Sequence, residues 1–273
     1  MHPRPARTAG EPGPDGQPAT VAYERTGSGP PLVLLHPLGA DRRVWEPVVR
    51  IVAARRETIT VDLPGFGQSP PLRGRTPTPR ALAAAVADLL SSLGIRRPQL
   101  AGNSLGGWVA MELALLTPCE SVTAIAPAGL WPAPLAPRPE LAHRVARATL
   151  PLGTALVRTR AGRALLLGGA VADPGRVPAA QAAHLIRSYA LAPGFSSVSA
   201  AMRAGRFEGL ERIACPVTLV WPDGDRVVRR PSVPPELVRE VVLAGSGHLP
   251  LWDAPEPLAR ILLYGADGLP AQP

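Results

Sequence analysis

The sequence predicts an α/β fold: a mostly parallel sheet, helices on both faces, and a helical insertion after the fourth buried strand. Three observations predict it. Short continuous apolar runs alternate with segments of helical period, the signature of repeated strand–helix–strand units. The run Leu32–Leu35 is apolar on successive residues, which suits a strand covered on both faces. The alternation stops after residue 127, gives way to apolar helical stretches without a convincing strand, and resumes at residue 216.

The elements follow in order. "TVAYERTG" (20–27) reads as an edge strand, and "PPLVLLHPLG" carries a buried run over 32–35 that ends at proline and glycine. "RRVWEPVVRIVA" has helical period with Pro47 near its start. "ETITVD" (57–62) is a second buried strand, and "LPGFGQSP" a loop. "PRALAAAVADLLSSLG" (79–94) is a helix with Pro79 in its first turn and Gly94 at its end. "PQLAGN" is a third buried strand, "SLGGWVAMELALL" a helix running to Pro118, and "SVTAIA" (121–126) a fourth. Residues 128–209 hold "ELAHRVARATL", "TALVRTRAGRALLLGG" and "AAQAAHLIRSYAL". "PVTLVW" (216–221), "VREVVLAG" (238–245) and a last helix around "PEPLARILLYG" complete the alternation. No internal repeat is present. The expected division is a disordered tail over 1–18, a core over 19–127 and 210–265, and a helical cap over 128–209.

Composition narrows the functional classes. With 46% hydrophobic residues in 273, the chain can bury a core and is not a disordered protein. The net charge is +8, and all 29 basic residues are arginine. They are scattered singly or in pairs, and the largest grouping is Arg226, Arg229 and Arg230. A nucleic-acid surface gathers its cations on one element, so no nucleic-acid partner is expected. The two cysteines, Cys119 and Cys215, make neither a disulfide framework nor a zinc site and read as buried free thiols. The first 19 residues lack the apolar core of a signal peptide, and no run of about 18 apolar residues marks a membrane span. A cytoplasmic location is the expectation.

The stretch "QLAGNSLGGW" (99–108) carries the chemistry. Ser104 falls between a buried strand and a helix, with Gly102 and Gly106 two places to either side. A sharp turn there places the serine in a strained conformation and lifts its hydroxyl above the sheet edge. Residues two before and two after such a turn crowd together, so glycine is needed at both. The helix N-terminus points free N–H groups at the same spot. The alternative reading is a serine that merely caps the helix.

A serine hydroxyl needs a base. Of five histidines, His2 is in the tail, while His143 and His184 fall on insertion helices and read as packed or partly exposed residues. His248, after the last strand in "VVLAGSGHLPLW", reaches the same sheet edge and is the expected base, with His36 the alternative. A carboxylate must orient the imidazole. "WPDGDRVV" offers Asp225, with Asp223 as its alternate, and either could instead be a turn former beside Gly224. A tetrahedral oxyanion needs two donors. The backbone N–H groups of Leu105 and Leu38 are the candidates, since Pro37 has none to give.

With these residues in place, the chain resembles the α/β-hydrolase-fold enzymes over about residues 20–265. Four landmarks carry the resemblance: "LLHPLG", "DLPGFGQS", "GNSLGG" and "GSGHLPLWDAPE". The order Ser, Asp, His is that of the family. The resemblance implies Ser104 as nucleophile, Asp225 as orienting acid, His248 as general base, Leu38 and Leu105 as oxyanion donors, and a structural role for Asp62 and its loop. The chain departs from the family at Pro37 and at Pro222, where glycine is usual. Serine at the elbow separates it from the epoxide hydrolases and haloalkane dehalogenases, which carry aspartate.

The expected activity is hydrolysis of an apolar carboxylic ester, thioester or lactone through an acyl-enzyme, with no metal and no organic cofactor. The expected partner is a small apolar acyl or aromatic substrate. Two alternatives stand beside it. "GNSLGG" also resembles the elbow of carbon–carbon bond hydrolases of ring-fission products, and some proteins of this fold bind a ligand or partner without turnover. Residues 140–169 are apolar with Arg144, Arg147, Arg158, Arg160 and Arg163. They read as a lid with its apolar side on the pocket and its arginines in water, so membrane contact is not expected.

Overall fold

A computed structural model describes residues 21–137 and 141–265. The tail expected over 1–18 lies outside the described residues. Seven strands, β1 (Tyr23–Thr26), β2 (Pro31–Leu35), β3 (Glu57–Val61), β4 (Gln99–Asn103), β5 (Ser121–Ile125), β6 (Val217–Pro222) and β7 (Arg239–Leu243), form one sheet. Their order is β1-β3-β2-β4-β5-β6-β7. β1 runs antiparallel to β3, and every other neighbouring pair is parallel.

Side-chain alternation along the strands feeds two separate cores. Val33 and Leu35 of β2 pack on one face with Leu100, Val122, Ala124 and Leu219. Helices α2 (Pro79–Ser92) and α3 (Leu105–Ala114) cover that face through Leu82, Val86, Val109 and Leu113. Leu32 and Leu34 point the other way, with Ala101, Ile125 and Val220. There, α1 (Glu46–Val52) and the last helix, α9 (Pro255–Tyr264), supply Val48, Val52, Leu258 and Ile261. Burial on both faces is why β2 reads as an unbroken apolar run.

The helix boundaries obey local chemistry. Thr78 caps α2 by accepting from the Ala81 N–H at 3.2 Å, and Pro79 occupies the first turn. Gly94, with φ +68°, takes the left-handed position after the helix end. Asp62, at the end of β3, accepts from the Arg42 and Gln68 N–H groups at 2.7 and 2.9 Å and pairs with the buried Arg42 guanidinium. Removing either partner would strand a buried charge, at a cost of about 3–5 kcal/mol.

Among the described residues five α-helices lie between β5 and β6: α4 (Leu141–Ala148), α5 (Leu150–Leu156), α6 (Arg160–Leu167), α7 (Ala179–Leu191) and α8 (Phe195–Ala204). α7 is the hub on which α4, α5 and α6 pack. Two features depart from a lid with its apolar side inward and its arginines in water. Arg163 is buried and donates to the carbonyls of Val157 and Pro174 at 3.0 and 3.3 Å, because the end of α5 leaves carbonyls unpaired. Leu141 and Leu165 are 65% and 74% exposed, since these short helices spend one face on α7 and have no second layer to cover the other.

Contacts fasten the insertion to the strand-end loops. Asp41 accepts from Ser188 Oγ at 2.8 Å and lies 2.7 Å from His184 Nε2, both on α7. His143 stacks on Phe195 with ring centroids 4.2 Å apart, and Tyr189 meets both rings edge-on. This cluster rests on Gly39, where a Cβ would lie 2.7 Å from Tyr189 Cδ2.

Candidate active site

Ser104, Leu38, Asp225 and His248 all follow the C-terminal ends of parallel strands: β4, β2, β6 and β7 respectively. Parallel strands end on one rim of the sheet, so residues scattered along the chain converge there.

Ser104 joins β4 directly to α3 with φ 55° and ψ −115°. Its backbone is held on three sides. The N–H donates to the Ile125 carbonyl at 2.8 Å, and the carbonyl accepts from Ala128 and Trp108 at 3.0 and 3.1 Å. A Cβ on Gly102 would collide with the Gly106 carbonyl, and one on Gly106 with the Leu35 carbonyl. Both glycines are therefore steric requirements of the bend. The Ser104 side chain makes no capping hydrogen bond to α3, so the bend does not serve to cap the helix.

His248 Nδ1 lies 2.8 Å from Asp225 Oδ2. The other oxygen of Asp225 accepts from the N–H groups of Val227 and Val228 at 2.7 and 3.0 Å, which fixes the carboxylate plane. Burial pushes the Asp225 carboxyl upward. The His248 hydrogen bond and charge, with the two N–H donors, outweigh it and hold the group below the usual carboxylate range. Asp223 faces elsewhere, and its Oδ1 accepts from the Ser246 N–H at 3.3 Å. Pro222 is the last residue of β6, and its carbonyl accepts from the Asp225 N–H at 3.3 Å, so proline sits within the turn that presents Asp225.

His36 is excluded as the base by its bonding. It is fully buried, Nε2 accepts from the Leu63 N–H at 2.9 Å, and Nδ1 donates to the Pro37 carbonyl at 2.8 Å. Burial holds its pKa down, despite the nearby Asp62 charge. Both ring nitrogens are occupied, and the ring braces β2 against the end of β3.

Two residues without an assigned role in the sequence reading set the histidine loop. Asn103 Nδ2 donates to the carbonyls of His248 and Ile125, each at 3.1 Å. Asp253 accepts from the N–H groups of Gly247, Ala172 and Asp173 at 2.8, 2.9 and 3.0 Å. The Leu249 N–H adds a bond to the Ala170 carbonyl at 2.8 Å. The structure thus joins Asp225 to His248 directly and ties His248 to the serine bend through Asn103. Among the described residues Ser104 and His248 share no direct hydrogen bond, and each is only 7% exposed.

Leu105 is the first residue of α3, so its N–H has no partner one turn back within the helix. Leu38 occupies the loop after β2, just before Gly39 with φ +78°. These are the two N–H groups that the sequence singled out, one at the start of α3 and one in the loop after β2. Among the described residues no helix is long and apolar enough to cross a membrane, and no cluster of three or more metal-ligating side chains is present.

The pimeloyl-(acyl-carrier protein) methyl ester esterase of Aeromonas salmonicida is 42% identical over 99 residues, 36% of this chain. The match spans only 37% of that relative's own length. Among solved structures, a membrane phospholipase A, a bacterial virulence factor, is 30% identical with a TM-score of 0.71, covering 91% of this chain and 82% of that one. A putative aryl esterase from Burkholderia cenocepacia is 25% identical with a TM-score of 0.72, covering 94% and 96%. The model of the alpha/beta hydrolase family matches residues 32–261, and the chain belongs to that family.

Proposed function

We propose that the protein is a serine hydrolase that cleaves a carboxylic ester, thioester or lactone of an apolar acyl or aromatic substrate through an acyl-enzyme. The observation that carries this reading is the 2.8 Å contact between His248 Nδ1 and Asp225 Oδ2 on the rim that holds the strained Ser104. An ionised carboxylate only accepts hydrogen bonds, so Nδ1 holds the ring proton and the Nε2 lone pair is left for the serine hydroxyl. Ser104 Oγ attacks the substrate carbonyl as its proton passes to Nε2. The N–H groups of Leu38 and Leu105 receive the oxyanion, and Asp225 stabilises the imidazolium. His248 then protonates the leaving group and draws a proton from water to release the acid.

Residues 128–209 act as the cap in this reading. Ser104 and His248 are both buried, so substrate reaches them when α7 and α8 move away from the loop around Gly39. The names of the relatives, a methyl ester esterase and a phospholipase A, support an acyl ester as the substrate class.

The test is a fluorophosphonate probe combined with a panel of p-nitrophenyl esters of graded chain length. Wild type should be labelled and turn over the panel. Ser104→Ala should lose the label and at least ~10³-fold in kcat. Labelling that survives the substitution overturns the assignment.

A further inference from the structure

Away from the rim that carries Ser104, the N-terminal edge of the sheet holds the two cysteines of the chain. Cys119 lies just before β5 and Cys215 just before β6. The strands are neighbours with Val122 opposite Val217, and the Val122 N–H donates to the Pro216 carbonyl at 2.9 Å. This pairing brings together residues 96 positions apart, and their sulfurs stand 2.7 Å from each other. Two thiols can be bridged only when the backbone brings their side chains together, and the short separation of the two sulfurs meets that requirement.

We propose that Cys119 and Cys215 are a redox-active dithiol that closes to a reversible intrachain disulfide when it meets a low-molecular-weight disulfide oxidant.

The two sulfurs divide the work. Cys119 is buried and Cys215 is half-buried, so an oxidant in solution meets Cys215 first. The hydrogen bond between the thiols raises Cys119 and lowers Cys215, with burial adding to the rise at Cys119 and the Arg97 charge favouring the thiolate. The Cys215 thiolate attacks one sulfur of the oxidant, the oxidant's S–S bond breaks, and one thiolate leaves. Cys119 then gives up its proton and attacks the Cys215 sulfur, expelling the second thiol. The protein loses two electrons and the oxidant gains them, ending as two thiols. The new bond clasps the N-terminal ends of β5 and β6 and closes a loop of chain that contains α4–α8. It lies at the strand starts, whereas Ser104, Asp225 and His248 follow strand ends, so this inference is independent of the proposed hydrolysis.

The experiment incubates the full chain with oxidised glutathione or with dithiothreitol, followed by thiol titration, non-reducing peptide mapping and thermal melting. Wild type should lose both titratable thiols, yield a Cys119–Cys215 cross-linked peptide, and melt about 5–15 °C higher than the reduced form, with dithiothreitol reversing each change. Cys119→Ser should stop at a glutathione adduct on Cys215. Cys215→Ser should remain unmodified, because the remaining thiol is buried. Three results overturn the proposal: wild type keeping both thiols, wild type stopping at the glutathione adduct, or wild type forming a bond between two chains. The wild-type map alone decides the matter if either variant fails to fold.

Discussion

The Asn103 carboxamide donates to the carbonyl of His248 across 145 positions of sequence, at 3.1 Å. Asn103 is the last residue of β4, fully buried, and its second bond reaches the Ile125 carbonyl of the neighbouring strand. One side chain therefore couples the strand that precedes Ser104 to the loop that carries the imidazole. Asn103→Ala removes both bonds and leaves two carbonyls without that donor. It should cost about 1–3 kcal/mol in urea unfolding. Loosening the imidazole should also lower kcat on a p-nitrophenyl ester about tenfold or more, with little change in KM. An unchanged kcat in a folded variant would show that Asn103 does not position His248.

The serine bend makes a second prediction. A Cβ at Gly106 meets the backbone of Leu35 and His36, neither of which is a flexible side-chain tip that can swing aside. Gly106→Ala should therefore destabilise by about 1–3 kcal/mol and displace Ser104, removing fluorophosphonate labelling. Gly169→Ala is the matched control, because nothing lies within 4 Å of the added methyl. It should stay within about 0.5 kcal/mol of wild type and label normally.

Much of this arrangement can be read from the sequence, for a physical reason. Strands buried on both faces are mostly apolar, so β2 to β6 announce themselves, and parallel strands put their C-terminal loops on one rim. Ser104 is visible because its bend forces glycine at fixed offsets. What escapes is whatever depends on a tertiary partner. Asn103 and Asp253 look like ordinary polar residues until the loops they bond are folded against them. Nothing in the spacing of Cys119 and Cys215 reveals that the pairing of β5 with β6 brings their sulfurs together. The insertion helices mislead because Arg163 and Leu165, two positions apart on α6, reverse the usual preference for water and interior.

The contact between α7 and the strand-end loops sets an acid limit. Burial works against the Asp41 carboxylate, but His184, Ser188 and the Arg43 N–H together hold its pKa far below the usual carboxylate range. A carboxylate with a depressed folded pKa contributes stability above its unfolded pKa of about 4 and loses it as pH falls toward the folded value. Thermal stability should therefore decline below about pH 4 more steeply for wild type than for Asp41→Asn. Asp41→Asn should also be less stable at neutral pH. Parallel pH slopes for the two proteins would show that this contact contributes nothing to the acid response.

The last prediction concerns His143, which is buried on α4 with its ring stacked on Phe195. Among the described residues its Nε2 has no hydrogen-bond partner. The ring thus works as an aromatic plate, and its polar atom is a net cost. His143→Phe keeps the stack and removes the unpaired nitrogen, so it should leave stability unchanged or raise it by about 1 kcal/mol. His143→Ala removes the plate beneath Phe195 and Tyr189, which rest on Gly39, and should cost about 2–4 kcal/mol in urea unfolding. Because those two rings cover the loop that carries Leu38, the same variant should label faster with a bulky fluorophosphonate than wild type does. If His143→Phe instead loses several kcal/mol, the nitrogen has a polar role and the aromatic account of this cluster fails.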